Sequence, residues 1–214
     1  MSKVIAIDGP AASGKSSVAR KLAKHLACAC INSGSLYRAV TWTILKKGID
    51  PADSSTIESY AQSMSIDLTI SPSGEPVLHI DALVPEFESH ESEVNAAVSK
   101  VATVPSVRAC ITNLLRNVAS NRDLVMEGRD IGTAVFPETP HKFYLDASPE
   151  IRRQRRAAQG LEDSIESRDR IDSTRSIAPL SIASDARIVD TSHLTLDGVV
   201  DEILRILGSS KAEP

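Results

Sequence analysis

The sequence predicts an α/β fold: a parallel sheet flanked by helices, with a phosphate-binding loop where its first strand ends. Three observations predict it. The apolar run Val4-Ile5-Ala6-Ile7 leads through Asp8 into Gly9-Pro10-Ala11-Ala12-Ser13-Gly14-Lys15-Ser16, a glycine-bracketed loop that closes on Lys-Ser. From Lys15 onward, Val18, Leu22 and Leu26 recur at helical spacing. Three more compact apolar runs, Leu124-Val125-Met126, Phe143-Tyr144-Leu145 and Arg187-Ile188-Val189, stand between turn and helix signals, as strands covered on both faces do.

The loop therefore sits at a strand-to-helix turn. There Gly9 and Gly14 can take backbone angles closed to other residues and let main-chain N–H groups approach phosphates, with the helix N-terminus adding a favourable dipole. Lys15 would reach the terminal phosphates and Ser16 would hold Mg²⁺, so the motif implies a nucleoside triphosphate. A second strand is expected over Cys28 to Asn32. Gly34 to Lys47 reads as a helix stopped by Gly48.

A helical pattern runs from Ile57 to Met64, and then the character changes. Ile66, Leu68 and Ile70 alternate with Asp67 and Thr69, Ser71-Pro72-Ser73-Gly74 supplies a turn, and Val77 to Ile80 answers, which together predict a hairpin. Helices follow at Val94 to Val101 and Val107 to Val118, the second opened by Pro105. After the three core strands, Val199, Val200, Ile203, Leu204 and Leu207 predict a closing helix over Thr195 to Leu207 that ends at Gly208.

A chain of 214 residues accommodates one substantial core with an appended subdomain. Its net charge of −4 does not draw it to a phosphate polymer, so small nucleotides rather than nucleic acid are the expected partners. Of three cysteines, Cys28 and Cys30 share one face of a strand with no further ligands nearby for zinc, and read as small buried hydrophobes. An odd cysteine count with no leader pattern points to a reducing, cytoplasmic setting, and no apolar run is long enough to cross a membrane.

Between Ile151 and Arg175 stand Arg152, Arg153, Arg155, Arg156, Arg168, Arg170 and Arg175. Guanidinium forks match phosphate oxygens two at a time, and phosphoryl transfer depends on positioning and charge neutralisation. The stretch reads as a flap over the triphosphate. Arg152 and Arg153 read equally as a solvated helix face with Glu150, Glu162, Asp163 and Glu166 for partners. Arg38, Arg108 and Arg129, each near an element end, suggest a second phosphate site.

Ser33-Gly34-Ser35-Leu36-Tyr37-Arg38, Glu127-Gly128-Arg129-Asp130-Ile131-Gly132-Thr133 and Asp172-Ser173-Thr174-Arg175-Ser176-Ile177-Ala178-Pro179-Leu180 give the chain, nearly end to end, a resemblance to the bacterial cytidylate kinases. The resemblance implies a P-loop NTPase core (1–63 and 102–214, with a lid at about 151–170) and a nucleoside-monophosphate-binding insertion (64–101). It implies transfer of the γ-phosphoryl group of ATP to CMP or dCMP with Mg²⁺, by a cytoplasmic monomer. The donor phosphates would lie against Gly9, Pro10, Ala11, Ala12, Ser13, Gly14, Lys15, Ser16 and Ser17.

The acceptor would lie against Ser33, Arg38, Ser99, Arg108, Arg129, Asp130, Arg168, Asp172 and Arg175. Asp130 and Ser99 suit the cytosine amine and Arg108 its acceptors; Arg38, Arg129 and Arg175 suit the phosphate; Asp172 and Arg168 would face the sugar. Lys15, Arg129, Arg155, Arg156 and Arg175 are the expected catalytic cations, and Glu127 an outer partner of Mg²⁺ or a surface carboxylate. Two positions depart from the pattern: His90 stands where related enzymes can carry Arg, and the stretch from Arg156 to Arg168 is short. The alternatives are a kinase for another small acceptor such as UMP or AMP, and a non-catalytic nucleotide-binding module. A guanine-reading Asn-Lys-x-Asp segment is missing from the sequence.

Overall fold

A computed structural model describes residues 3–85, 92–158, 165–175 and 177–209. His90 and residues 159–164, within the stretch from Arg156 to Arg168, lie outside the described residues. Strand β1 (Val4–Asp8) is buried along its whole length at the centre of a five-stranded sheet. It pairs in parallel with β5 (Leu124–Glu127) on one side and β6 (His141–Asp146) on the other. The edges are β2 (Ala29–Asn32), beside β5, and β7 (Arg187–Asp190), beside β6, giving the order β2-β5-β1-β6-β7.

Alternate β1 side chains serve opposite faces, which explains the unbroken apolar run. Ile5 and Ile7 pack with Val18 and Leu22 of α1 (Lys15–His25) and with Val199, Val200 and Ile203 of α8 (Leu196–Ser209). Val4 and Ala6 face the other layer, built from α2 (Ser33–Lys46), α3 (Ser54–Ser63) and α5 (Pro105–Ala119). The antiparallel hairpin of β3 (Ile66–Ile70) and β4 (Pro76–Ile80) gives Leu68, Leu78 and Ile80 to that second layer, beside Val101 of α4 (Ser92–Val101). The arginine-rich stretch supplies α6 (Pro149–Ala158) and α7 (Ile165–Thr174).

Several boundaries differ from the sequence reading for local reasons. Helix α3 starts at Ser54 rather than Ile57 because the Asp53 carboxylate accepts the Thr56 N–H at 3.1 Å, a cap that apolar spacing does not register. Helix α8 passes Gly208 to end at Ser209. Residues Ile131–Val135 form a π-helical turn, unanticipated from the sequence. Cys30, on the edge strand β2, and Cys28, just before that strand begins, are half-buried rather than buried; burial nonetheless pushes the Cys30 thiol up to about 12.

Candidate active site

The phosphate loop leaves β1 through Gly9, whose φ is +149°. A Cβ there would lie 2.1 Å from the Leu145 carbonyl oxygen on β6, so only glycine lets the two strand ends lie this close. Gly14, at φ +92°, turns the chain into α1. Lys15 folds back into the loop, its Nζ donating to the Pro10 carbonyl at 2.5 Å and lying 3.3 Å from Ser13 Oγ. Burial, with Arg129 nearby, lowers the Lys15 ammonium to about 7.

Across a cleft of about 240 Å³ stands a buried cluster of opposite charges. Arg108 donates from Nη2 to the Asp130 carboxylate and from Nη1 to the Ala102 carbonyl at 3.1 Å, and its guanidinium lies over the Tyr37 ring. Arg175 Nη2 lies 3.5 Å from the other Asp130 oxygen and 6% of its side chain is exposed; this nitrogen is buried and forms no hydrogen bond among the described residues. Burial pushes the Asp130 carboxyl up, and the two guanidiniums oppose the rise. Arg129 donates through Nε to Asp172 at 2.8 Å, so the adjacent Arg129 and Asp130 face different partners.

The cleft brings together most of the residues expected from sequence. Ala11, Ala12, Gly14, Lys15, Ser16 and Ser17 line one side, and Ser33, Arg38, Ser99, Glu127, Arg129, Asp130, Arg156, Asp172 and Arg175 line the rest. Gly9, Pro10 and Ser13 of the loop do not line the cleft, and neither does Arg108, which is bonded to Asp130. Glu127 is buried, which removes the surface reading of it. Arg168 lies on α7, and its side chain is outside what the structure describes.

The arginines of α6 divide. Arg156 lines the cleft, whereas Arg155 donates to the Thr191 hydroxyl at 2.9 Å and to its carbonyl at 2.7 Å. Thr191 Oγ1 lies in turn 2.9 Å from the Ser13 carbonyl oxygen, so Arg155 braces the loop from behind. Arg152 ion-pairs with Asp169 of α7 and donates to the Ala11 carbonyl at 3.3 Å; Asp169 also accepts the Ala11 N–H at 3.2 Å. Arg153 is exposed and pairs with Glu150.

Sequence reasoning passed over Asp8, Asp169 and Thr191. Asp8 alone left a signal, a carboxylate at the end of an otherwise apolar strand. It is buried, and its oxygens accept the N–H groups of Ile131 at 2.9 Å and Gly132 at 2.7 Å. Burial raises its carboxyl to about 6 despite those donors.

The profile of the cytidylate kinase family matches residues 5–209. The chain belongs to the cytidylate kinase family. It is 42% identical over 212 residues to a cytidylate kinase of Mycolicibacterium paratuberculosis, covering 94% of this chain and 92% of that one. It is 41% identical over 220 residues to a cytidylate kinase of Pelotomaculum thermopropionicum, covering 98% and 97%. Among solved structures, shikimate kinase from Acinetobacter baumannii in complex with shikimate superposes with a TM-score of 0.51 at 16% identity, covering 100% of this chain and 97% of that one; the likeness is one of fold. Within the cytidylate kinase family frame, Ser16 and Glu127 offer one hydroxyl and one carboxylate to the same cleft, oxygen donors that fit a hard cation carried in on phosphates.

Proposed function

We propose that the chain transfers the γ-phosphoryl group of ATP to CMP and dCMP, giving CDP and dCDP. The observation that carries this reading is the buried Arg108–Asp130–Arg175 cluster on the wall of the cleft into which the phosphate loop opens. A triphosphate-binding module alone has no use for a second, desolvated set of guanidiniums. The Arg175 nitrogen without a hydrogen bond supplies a donor for the acceptor's phosphate, which Arg38 and Arg129 share.

Asp130 is an acceptor fixed by two cations and suits an exocyclic amine, as in cytosine, with Ser99 lining the same cleft. Arg108 would then serve the base acceptors and Asp172, with Arg168, the sugar. Transfer itself asks for alignment and charge neutralisation. Lys15 follows the charge that moves onto the leaving phosphate, while Arg129, Arg156 and Arg175 meet the group in flight from the acceptor side. Arg155 acts on the donor through Thr191 and the loop behind it.

Ser16 and Glu127 would hold Mg²⁺, which when bound neutralises phosphate charge. The lid at about 151–170, which takes in most of α6 and the first part of α7, closes to keep water from competing as acceptor, and 64–101 forms the acceptor-binding insertion on the 1–63 and 102–214 core. The enzyme works as a cytoplasmic monomer on small nucleotides, with neither nucleic acid nor membrane as partner. No described helix is long and apolar enough to cross a membrane. A coupled assay of ADP release with CMP, dCMP, UMP, AMP and shikimate as acceptors tests the proposal. Faster turnover with CMP and dCMP is expected; equal turnover on all, or none on any, overturns it.

A further inference from the structure

Asp8 lies where the donor half and the acceptor half of the site meet. It is the last residue of β1 and the residue before Gly9, so its backbone launches the phosphate loop. Its side chain points the other way in function. One carboxylate oxygen takes the Ile131 N–H at 2.9 Å and the other takes the Gly132 N–H at 2.7 Å, on the turn that directly follows Arg129 and Asp130. The near end of that segment is fixed by the preceding residue of the same strand, because the Gly128 N–H donates to the Ile7 carbonyl at 3.0 Å. Arg129 and Asp130 therefore hang between two anchors supplied by consecutive residues of β1.

Two donors converging on one buried side chain require two acceptors. A carboxylate provides them, whereas an amide provides one oxygen and turns a donor NH₂ against a second donor. The approach also depends on a residue without a side chain. A Cβ on Gly132 would stand 3.3 Å from Asp8 Oδ2 and 3.1 Å from Cγ of Lys142, so a side chain there crowds the segment against both. The carboxylate is enclosed rather than solvated, with 5% of the residue exposed, so water does not take over the role.

We propose that Asp8 is a positioning residue for the acceptor nucleotide: gripping the Ile131 and Gly132 amides, it sets Arg129 and Asp130 at a fixed distance from the phosphate loop that its own backbone begins. It touches no reacting atom, and the inference rests on the reading of Asp130 and Arg129 as acceptor contacts. Losing the grip lets Arg129 and Asp130 shift relative to the loop while the loop glycines and Lys15 stay in place. Acceptor recognition then suffers more than donor binding.

The test is Asp8→Asn, measured for CMP and UMP kinetics and, separately, for ATP affinity without acceptor. The KM for CMP should rise about tenfold or more, and the preference for CMP over UMP should shrink, while the Kd for ATP changes only a few-fold, the pattern expected of lost alignment. Gly132→Ala, which displaces the same amides and leaves Asp8 intact, should show the same split. A folded Asp8→Asn variant with unchanged CMP KM and unchanged preference overturns the proposal, as does equal weakening of CMP and ATP. Failure of both variants to fold also counts against it, since that is the behaviour of a purely structural anchor. Wild-type enzyme in the same assay keeps the outcomes apart, because its failure on CMP would fault the proposed function and not Asp8.

Discussion

Lys15 is buried in a loop that offers it carbonyl and hydroxyl oxygens, and its ammonium is held at about 7 against 10.5 for an ordinary lysine. Triphosphate oxygens arriving around it favour the charged form. At pH 8 only about one free molecule in ten carries the charge on Lys15, so ATP binding should draw in about 0.9 proton, falling to about 0.5 at pH 7. The same linkage makes the Lys15 contribution to the Kd for ATP roughly constant below pH 7 and weaker by about tenfold per pH unit above it. The contribution of Lys15 to folding runs in the opposite sense: between pH 7 and 10.5 this group holds fewer protons folded than unfolded, so its unfavourable contribution to stability shrinks as pH rises across that window.

Calorimetric titration with ATP at pH 8, in buffers of different ionisation enthalpy, measures the uptake directly. The γ-phosphate of ATP is already mostly ionised there, with a second phosphate pKa near ~6, and contributes little. Lys15→Met provides the control, since it keeps the stem and removes the titrating nitrogen. Uptake below about 0.2 proton in the wild type, or equal uptake in Lys15→Met, would refute the reasoning from burial to protonation.

Three other outcomes are expected. Asp130→Asn keeps the shape of the buried cluster but can turn either a donor or an acceptor to the base, so the CMP-to-UMP ratio of kcat/KM should fall by about tenfold or more, and an unchanged ratio would remove Asp130 from base selection. Gly9→Ala places a Cβ 2.1 Å from the Leu145 carbonyl oxygen at a positive φ, and urea denaturation should show a loss of about 3 kcal/mol or more; a loss under about 1 kcal/mol would contradict the close approach of the strand ends. Helix α6 has no buried residue, and hydrogen exchange in α6 and α7 should slow when ATP and CMP analogues bind together, whereas identical exchange in free and doubly bound protein would take the lid out of the mechanism.

The parallel strands and the phosphate loop were legible because they are local. Val4 to Lys15 places strand, glycines and helix within one stretch, and the physics that demands glycine at Gly9 acts over a few bonds and one neighbouring carbonyl. The acceptor wall was legible as a set of residues, from its arginines and from the resemblance, but not as a set of pairings. Arg108, Arg129 and Arg175 announce an anionic ligand, but whether Asp130 pairs with Arg129 beside it or with Arg108, 22 residues away, is decided by α5 packing against the Ile131–Val135 turn that follows Asp130. The sequence reading counted Arg155 as a phosphate cation; its bond to Thr191, 36 residues on, depends on β7 lying next to β6. The Asp53 cap and the π-helical turn stayed hidden because apolar periodicity carries no information about hydrogen bonds at element ends.

The sheet order has a consequence for how the chain is made. Strands β1 and β2 lie near the start of the sequence, yet they do not pair with each other; both wait for β5, which begins at Leu124, and β1 gains its second neighbour only with β6, from His141. Throughout the first half of synthesis the most apolar strand of the molecule has no hydrogen-bonded neighbour, while the hairpin of β3 and β4 can close by itself. A nascent or truncated chain ending before Leu124 thus carries the entire phosphate-loop motif and no sheet to hold it. For this protein nucleotide binding arrives late on the ribosome, and the interval before it is when an exposed Val4-to-Asp8 edge is open to aggregation or to a chaperone.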